Sequence, residues 1–221
     1  EDVSRHDLRE ELCITVDPAD AKDFDDAVGA RRLEDGGFEL WVHIADVAHY
    51  VGWDSPIDLE ARSRTCSTYL VDRVLPMLPE KLCNDACSLR PAEDRLAMSV
   101  KMKLSSSGKI LGATAMNSVI CSRARLSYDQ VDSYLQGDAT SLEAVVSAND
   151  ITAIKEMLEV LNQIRAFREE IRKKRGSVDF ESVETRVVLD ENNKPVSVSV
   201  RERTQATGLI EEAMLAANES V

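Results

Sequence analysis

Five aspartates fall within ten consecutive residues, Asp17-Pro18-Ala19-Asp20-Ala21-Lys22-Asp23-Phe24-Asp25-Asp26. No other feature restricts the fold as strongly. Two unit charges ~4 Å apart repel by about 4 kcal/mol at an effective dielectric near 20. Such a run cannot be turned inward unless a cation neutralises it. Residues 12–17 (Leu-Cys-Ile-Thr-Val-Asp) read as a strand entering an acidic bend. Short carboxylates are hard oxygen donors, so the matching cation is Mg²⁺, with Mn²⁺ as the alternative. Zinc fits poorly, because the bend holds no histidine and Cys13 is a poor ligand.

The adjacent pair Asp25-Asp26, with Asp20 and Asp17 six and nine residues before Asp26, can reach two ions from one irregular loop. Two such ions can hold both the attacking and the leaving oxygen of a phosphodiester displacement. The bland alternative is a solvated acidic turn with its charges spread beyond the roughly 10 Å screening length. Another is the Asp-x-Asp metal site of nucleotide-sugar transferases, here Asp23-Phe24-Asp25. An EF-hand loop is disfavoured, since neither the mid-loop glycine nor the closing glutamate is present.

Composition narrows the setting. With 43% hydrophobic and 30% charged residues over 221 positions, the chain can bury a core. No run approaches the roughly 18 apolar residues of a membrane span. The start, Glu1-Asp2-Val3-Ser4, carries no apolar leader, and Glu1 in place of Met points to a fragment or a processed start. Five scattered cysteines (Cys13, Cys66, Cys83, Cys87, Cys121) fit a reducing cytoplasm better than a disulfide scaffold. The net charge of −13 argues against a simple electropositive nucleic-acid binder. The distribution is uneven, however. Residues 1–26 hold 10 acids and 3 bases, whereas 61–125 hold 11 bases and 5 acids. An acidic pole beside a basic stretch can take a metal and a polyanion together.

Hydrophobic periodicity places the remaining elements. Strands are expected at 27–33 and 38–47, joined as a hairpin through Gly36-Gly37, and at 96–104 and 110–120 around Ser-Ser-Ser-Gly. Ser55 to Arg64 reads as a helix with Pro56 early in it. The strongest helix spans 151–174, with Asp150 as its expected cap and Lys173-Lys174-Arg175-Gly176 at its end. Strands at 178–188 and 194–201 flank a turn at Asn192-Asn193, and a last helix covers 208–219 with Leu209, Ile210, Ala213, Met214 and Ala217 on one side. Mixed hairpins and helices predict an α+β fold, a largely antiparallel mixed sheet packed with helices.

The acidic bend, extended to Ala27, resembles the signature loop of the RNB catalytic domain of the ribonuclease II and ribonuclease R family. Further blocks agree in order: 43–50 (HIADVAHY), 69–80 (YLVDRVLPMLPE), Cys87-Ser88-Leu89, 123–128 (RARLSY), Arg175-Gly176-Ser177 and 209–218 (LIEEAMLAAN). The resemblance runs from about Cys13 to the last residue.

It implies a metal-dependent, processive 3′→5′ exoribonuclease that hydrolyses single-stranded RNA to nucleoside 5′-monophosphates, with neither DNA nor a membrane as natural partner. Protein partners are left open. Asp17 and Asp26 match the aspartates that hold the first Mg²⁺, and Asp23 another acid of the cluster. Asp25 matches the carboxylate most critical for chemistry, whereas Asp20 matches no firm role. Tyr69 and Tyr128 match tyrosines that contact RNA. Glu211 or Glu212 matches an acid beside the catalytic chamber, and the resemblance leaves the choice open. It also implies that 1–221 is the N-terminal and central part of a longer RNB domain, without the family's cold-shock and S1 domains. The chain alone is then expected to bind RNA weakly and to be inactive. Outside these matches, His43 and His49 read as structural, Asp46 as a cap or loop-orienting group, and the cysteines as ordinary thiols.

Overall fold

The alternation in 38–48 produces the strand on which the whole molecule is built. The computed structural model describes residues 4–178, 184–191, 194–201 and 203–221. Its strands are β1 (His6–Leu8), β2 (Ile14–Asp17), β3 (Asp26–Arg32), β4 (Phe38–Ala45), β5 (Thr68–Tyr69), β6 (Val74–Leu75), β7 (Asp94–Leu104), β8 (Ile110–Cys121), β9 (Ala124–Ser127), β10 (Glu184–Leu189) and β11 (Pro195–Arg201). Its helices are α1 (Val47–Tyr50), α2 (Pro56–Arg64), α3 (Tyr128–Leu135), α4 (Ile151–Lys174) and α5 (Gln205–Ser220), with one π-helical turn at Leu82–Ala86.

Seven strands form one sheet in the order β1-β8-β7-β4-β3-β2-β9. The outer pairs β1–β8 and β2–β9 are parallel, and the four inner pairings are antiparallel. Central β4 is buried along nearly its whole length. Phe38, Leu40 and Val42 point to one face, where Val28, Val100, Met102 and Leu104 join them under α3, α4 and α5. The opposite face carries a smaller cluster of Cys13, Ala27, Ala45, Cys87, Leu89, Ala97 and Ile120. This is the α+β, largely antiparallel mixed sheet that the pattern predicts, open rather than closed into a barrel.

Local chemistry explains the boundaries. The β3–β4 turn uses Gly36 at φ +79°, a conformation side chains resist. At Gly29, a Cβ would stand 2.3 Å from the Leu12 carbonyl oxygen, so β3 passes the chain entering β2 only as glycine. Ser55 caps α2 by accepting from the Asp58 N–H, with Pro56 in its first turn.

Three expectations change. Asp150 does not cap α4: its backbone is already helical and its carboxylate accepts from the Ser147 hydroxyl at 2.6 Å. The last helix starts three residues early at Gln205, because Thr204 and Thr207 form a reciprocal capping box there. The strand expected from 178 is described from Glu184 onward, and the Asn192-Asn193 turn lies outside the described residues. Periodicity did not reveal β1, β9 and α3, which complete the sheet and its helical cover, nor α1, the β5–β6 hairpin and the π-helical turn.

Helix α5 is tied to α3 by a buried carboxylate. Asp132 Oδ1 accepts the Ala206 N–H at 2.9 Å, taking up a donor that the first turn of α5 leaves unpaired. Asp132→Ala is expected to cost about 1–3 kcal/mol by stranding that donor, and Asp132→Asn, which keeps an acceptor, distinctly less. Urea unfolding midpoints at unchanged slope measure both. Equal midpoints for wild type and Asp132→Ala would remove this bond from the account of α5 docking.

Candidate active site

The acidic bend is the loop of the β2–β3 hairpin. Asp17 ends β2, Asp26 begins β3, and Asp20, Asp23 and Asp25 lie between them. β2 and β3 pair at Ile14 and Val28, and past that point the two strands part, β2 staying on β9 to Asp17 and β3 on β4 from Asp26.

Neighbouring segments splint this loop. Ser88 Oγ accepts from the Phe24 N–H and donates to the Lys22 carbonyl, both at 3.0 Å, while the Leu89 N–H donates to the Phe24 carbonyl. Arg125 on β9 donates from Nη2 to the Pro18 and Ala19 carbonyls at 2.7 and 2.8 Å, and its guanidinium lies 5.4 Å from the Phe24 ring. The blocks Cys87-Ser88-Leu89 and Arg123-Ala124-Arg125 therefore have a physical task, which is to hold a self-repelling loop in shape.

The repulsion appears in the carboxylates themselves. Burial, reinforced by neighbouring Asp26, pushes Asp17 up to about 7. Burial and then Asp25 push Asp26 up to about 6. Asp25 is also raised, by burial and then by Asp23, although it keeps a solvent-exposed edge. Asp17 Oδ2 is buried without a hydrogen-bond partner. Among the described residues no three His, Cys, Asp or Glu side chains yet stand close enough together to hold a metal ion. The set nevertheless fits a hard divalent cation. Its donors are all carboxylate oxygens, one of them desolvated and unpaired, and their mutual charge is what an ion would neutralise.

The other expected residues separate into two groups. Tyr69 comes to the loop: its hydroxyl donates to Asp23 Oδ2 at 3.5 Å, and the side chain is otherwise open to solvent on the β5–β6 hairpin. Tyr128 is half-buried against the main core at the first residue of α3. Glu212 is fully buried in the α4–α5 seam, with Arg172 Nε 2.6 Å from its Oε1. Glu211 keeps solvent access and pairs with Arg203 at 2.7 Å and Arg172 at 3.5 Å.

His43 is a core residue, as expected. Ser118 Oγ donates to the Ala97 carbonyl, so it accepts from Ser99 Oγ, and Ser99 in turn accepts from His43 Nδ1–H at 2.6 Å. That sequence of donors fixes a neutral ring protonated on Nδ1, and burial lowers its pKa to about 4. Asp46 caps α1 and pairs with Arg5 at 2.6 Å. All five cysteines are free. Ser88 and Arg125 are the working residues that motif reading placed in matching blocks without giving them a role. Only the tertiary contact of distant segments shows what they do.

The chain is similar to known proteins over nearly its whole length. The model of the RNB domain matches residues 5–221. Ribonuclease R 1 of Lactococcus lactis is 42% identical over 219 residues, 99% of this chain and 26% of that protein. Ribonuclease R of Thermotoga maritima is 43% identical over 220 residues, 99% of this chain and 30% of that protein. The structure of Mycoplasma genitalium RNase R in complex with ribose-methylated single-stranded RNA superposes with a TM-score of 0.88 at 36% identity, covering 97% of this chain and 32% of that one. The chain thus spans about a quarter to a third of the length of these relatives. No described helix is long and apolar enough to cross a membrane.

The raised carboxylates set a pH dependence. A carboxyl whose folded value exceeds its usual value of about 3.9 contributes stability that is complete below that value and lost as pH rises through the folded one. For Asp26 and Asp17 that loss runs up to about 6 and about 7. In EDTA, Asp17→Asn is therefore expected to gain melting temperature relative to wild type as pH rises from 4 to 8. A constant difference over that range would show that Asp17 ionises without cost. The chain belongs to the RNB domain family.

Proposed function

We propose that this chain carries the catalytic site of a cytoplasmic, Mg²⁺-dependent 3′→5′ exoribonuclease, with Mn²⁺ able to replace Mg²⁺. Its substrate is single-stranded RNA, released as nucleoside 5′-monophosphates, and DNA and membranes are not partners. The observation that carries this reading is the hairpin loop itself. Asp17, Asp25 and Asp26 are raised by burial and by neighbouring aspartates of the loop, and the hydroxyl of an open tyrosine ring reaches Asp23. A partly desolvated aspartate set of this kind is unfavourable without counter-charge.

Asp17, Asp23, Asp25 and Asp26 are the residues that would hold the metal. When bound, divalent ions supply a water of lowered pKa and offset charge on the phosphoryl oxygens. Asp25, with its exposed edge, is the carboxylate nearest the reacting phosphate, while Asp17 at the strand end gives the set a fixed anchor. Asp20 is exposed at the tip of the bend and stays outside the ligand set. Tyr69 stacks on a base near the 3′ end. Such stacking is worth roughly 1–3 kcal/mol per base and reads no sequence. Its hydroxyl bond to Asp23 aims the ring at the metal cluster. Tyr128 contacts RNA further along the strand. Between the two glutamates, solvent access selects Glu211 for the chamber and leaves Glu212 to the helix seam.

A second reading, a metal-free RNA-binding module, draws support from the carboxylates standing too far apart to ligate as a group of three. One experiment separates the two. In the full-length protein, 5′-labelled oligo(A) is expected to be degraded with Mg²⁺ and left intact with EDTA. Asp25→Asn should lower turnover by orders of magnitude with RNA affinity nearly unchanged. Binding without cleavage under all conditions would favour the module, and full activity of Asp25→Asn would remove that residue from the chemistry.

Tyr69→Ala is expected to lengthen the limiting end product seen on a sequencing gel. An unchanged product would exclude Tyr69 from the 3′ clamp.

A further inference from the structure

The bend has a second side. An open cleft of about 490 Å³ is lined by the bend's Lys22 and Phe24, by Asn84 of the π-helical turn, and by Arg90, Glu93 and Arg125, but by none of the five aspartates. We propose that this cleft binds a nucleoside 5′-monophosphate, the product leaving the carboxylate side. The choice of that nucleotide rests on the nuclease reading above.

Three cations face one carboxylate in the cleft. Glu93 is already shared by Arg90 at 2.6 Å and by Arg95, and Arg90 also meets Asp85 at 2.8 Å. The Lys22 ammonium makes no ion pair among the described residues, while its backbone carbonyl is pinned by Ser88. Arg125 spends Nη2 on the Pro18 and Ala19 carbonyls and its Nε is buried, which leaves Nη1 as its donor toward the cleft. Guanidinium and ammonium groups are the usual partners of a phosphate dianion. The Phe24 ring and the Asn84 amide add an apolar wall and a donor–acceptor pair suited to a base. The volume lies within the roughly 300–1,000 Å³ common for small-molecule sites.

Placement gives the cleft its use. The cleft takes Lys22 and Phe24 from the bend but none of its five carboxylates, with Arg90 and Arg125 alongside them. A new phosphate monoester carries more negative charge than the diester it came from. It is repelled by the aspartates and drawn toward the cations one segment away. The cleft is open and its cations are partly solvated, so binding is weak and exchange fast, as release of product requires.

The test uses this 221-residue chain in EDTA, ¹⁵N-labelled and titrated with 5′-AMP, adenosine or inorganic phosphate. AMP should shift the amides of Ala21, Lys22, Phe24, Asn84 and Arg90 with millimolar saturation, and adenosine and inorganic phosphate should each bind at least tenfold more weakly. Lys22→Ala/Arg90→Ala should weaken AMP at least tenfold. Lys22→Gln, a change at an exposed side chain, should weaken it severalfold in a fully folded spectrum. The proposal is overturned by AMP shifts confined to Asp17, Asp23 and Asp25, by adenosine binding as well as AMP, by unchanged affinity in Lys22→Gln, or by a folded protein that does not respond. A failed cleavage assay with Mg²⁺ leaves these metal-free shifts untouched, so the two readings fail separately.

Discussion

Like charges held close together against their own repulsion are the constraint on which the rest of this structure depends. Asp17, Asp23, Asp25 and Asp26 share one hairpin loop, and three of them ionise only at raised pH. The work of holding them comes from outside the loop. Both its strands enter a seven-stranded sheet, and one end of the loop is fixed at Asp17 in the β2–β9 pairing. Ser88 satisfies two backbone groups of the loop, and Arg125 satisfies two more. A neutral serine and an arginine turned to backbone carbonyls pin the main chain without ion-pairing to the carboxylates. The acids therefore remain available to an ion.

Much of this is legible in the residues, and most of the elements that are not are short. Helix α4 and the end of β7 announce themselves because each buries one face against a core, so the pattern repeats with the period of the element, while β3 and β4, buried on both faces, register as apolar runs on either side of Gly36-Gly37. Strands β1 and β9 are three and four residues long and sit at the sheet edges, too short for a period to register. Helix α3 has only eight residues and starts from a serine–glutamine capping box, a local signal overlooked beside the motif that ends at Tyr128. The error at Asp150 has a different origin. Asp and Ser are both good caps, and here Ser147, three residues earlier, bonds both the backbone and the carboxylate of Asp150.

The glutamate pair shows where motif matching stops and packing takes over. Glu211 and Glu212 are neighbours in a helix, so they point about 100° apart. One direction leads into α4, where Arg172 stands 2.6 Å from Glu212 and buried Arg168 pairs with Glu219. Buried ion pairs add little net stability over apolar packing, but losing one partner is costly. Their value here is registry: Arg168 and Arg172 are one turn apart on α4 and meet Glu219 and Glu212 on α5, so a slip of one helix along the other would break both pairs. Helix α5 is thereby fixed in relation to the sheet, and Glu211 is presented at its surface.

The overall charge then ceases to be a puzzle for a protein of this family. A net charge of −13 repels a polyanion at long range, yet that field is screened within roughly 10 Å at 0.1 M salt. What an approaching strand meets at short range depends on local arrangement. Many of the acids are already neutralised in pairs, as with Asp7 and Arg9, Glu39 with Arg31 and Lys101, and Glu219 with Arg168 and Arg175. Asp17, Asp25 and Asp26 differ, because the largest charge effect on each comes from another aspartate of the loop. Divalent ions bound there would convert the most repulsive spot on the surface into one attractive to phosphate. Metal binding and nucleic-acid binding are then coupled, and RNA affinity at this site should follow the occupancy of the carboxylates rather than the charge of the chain.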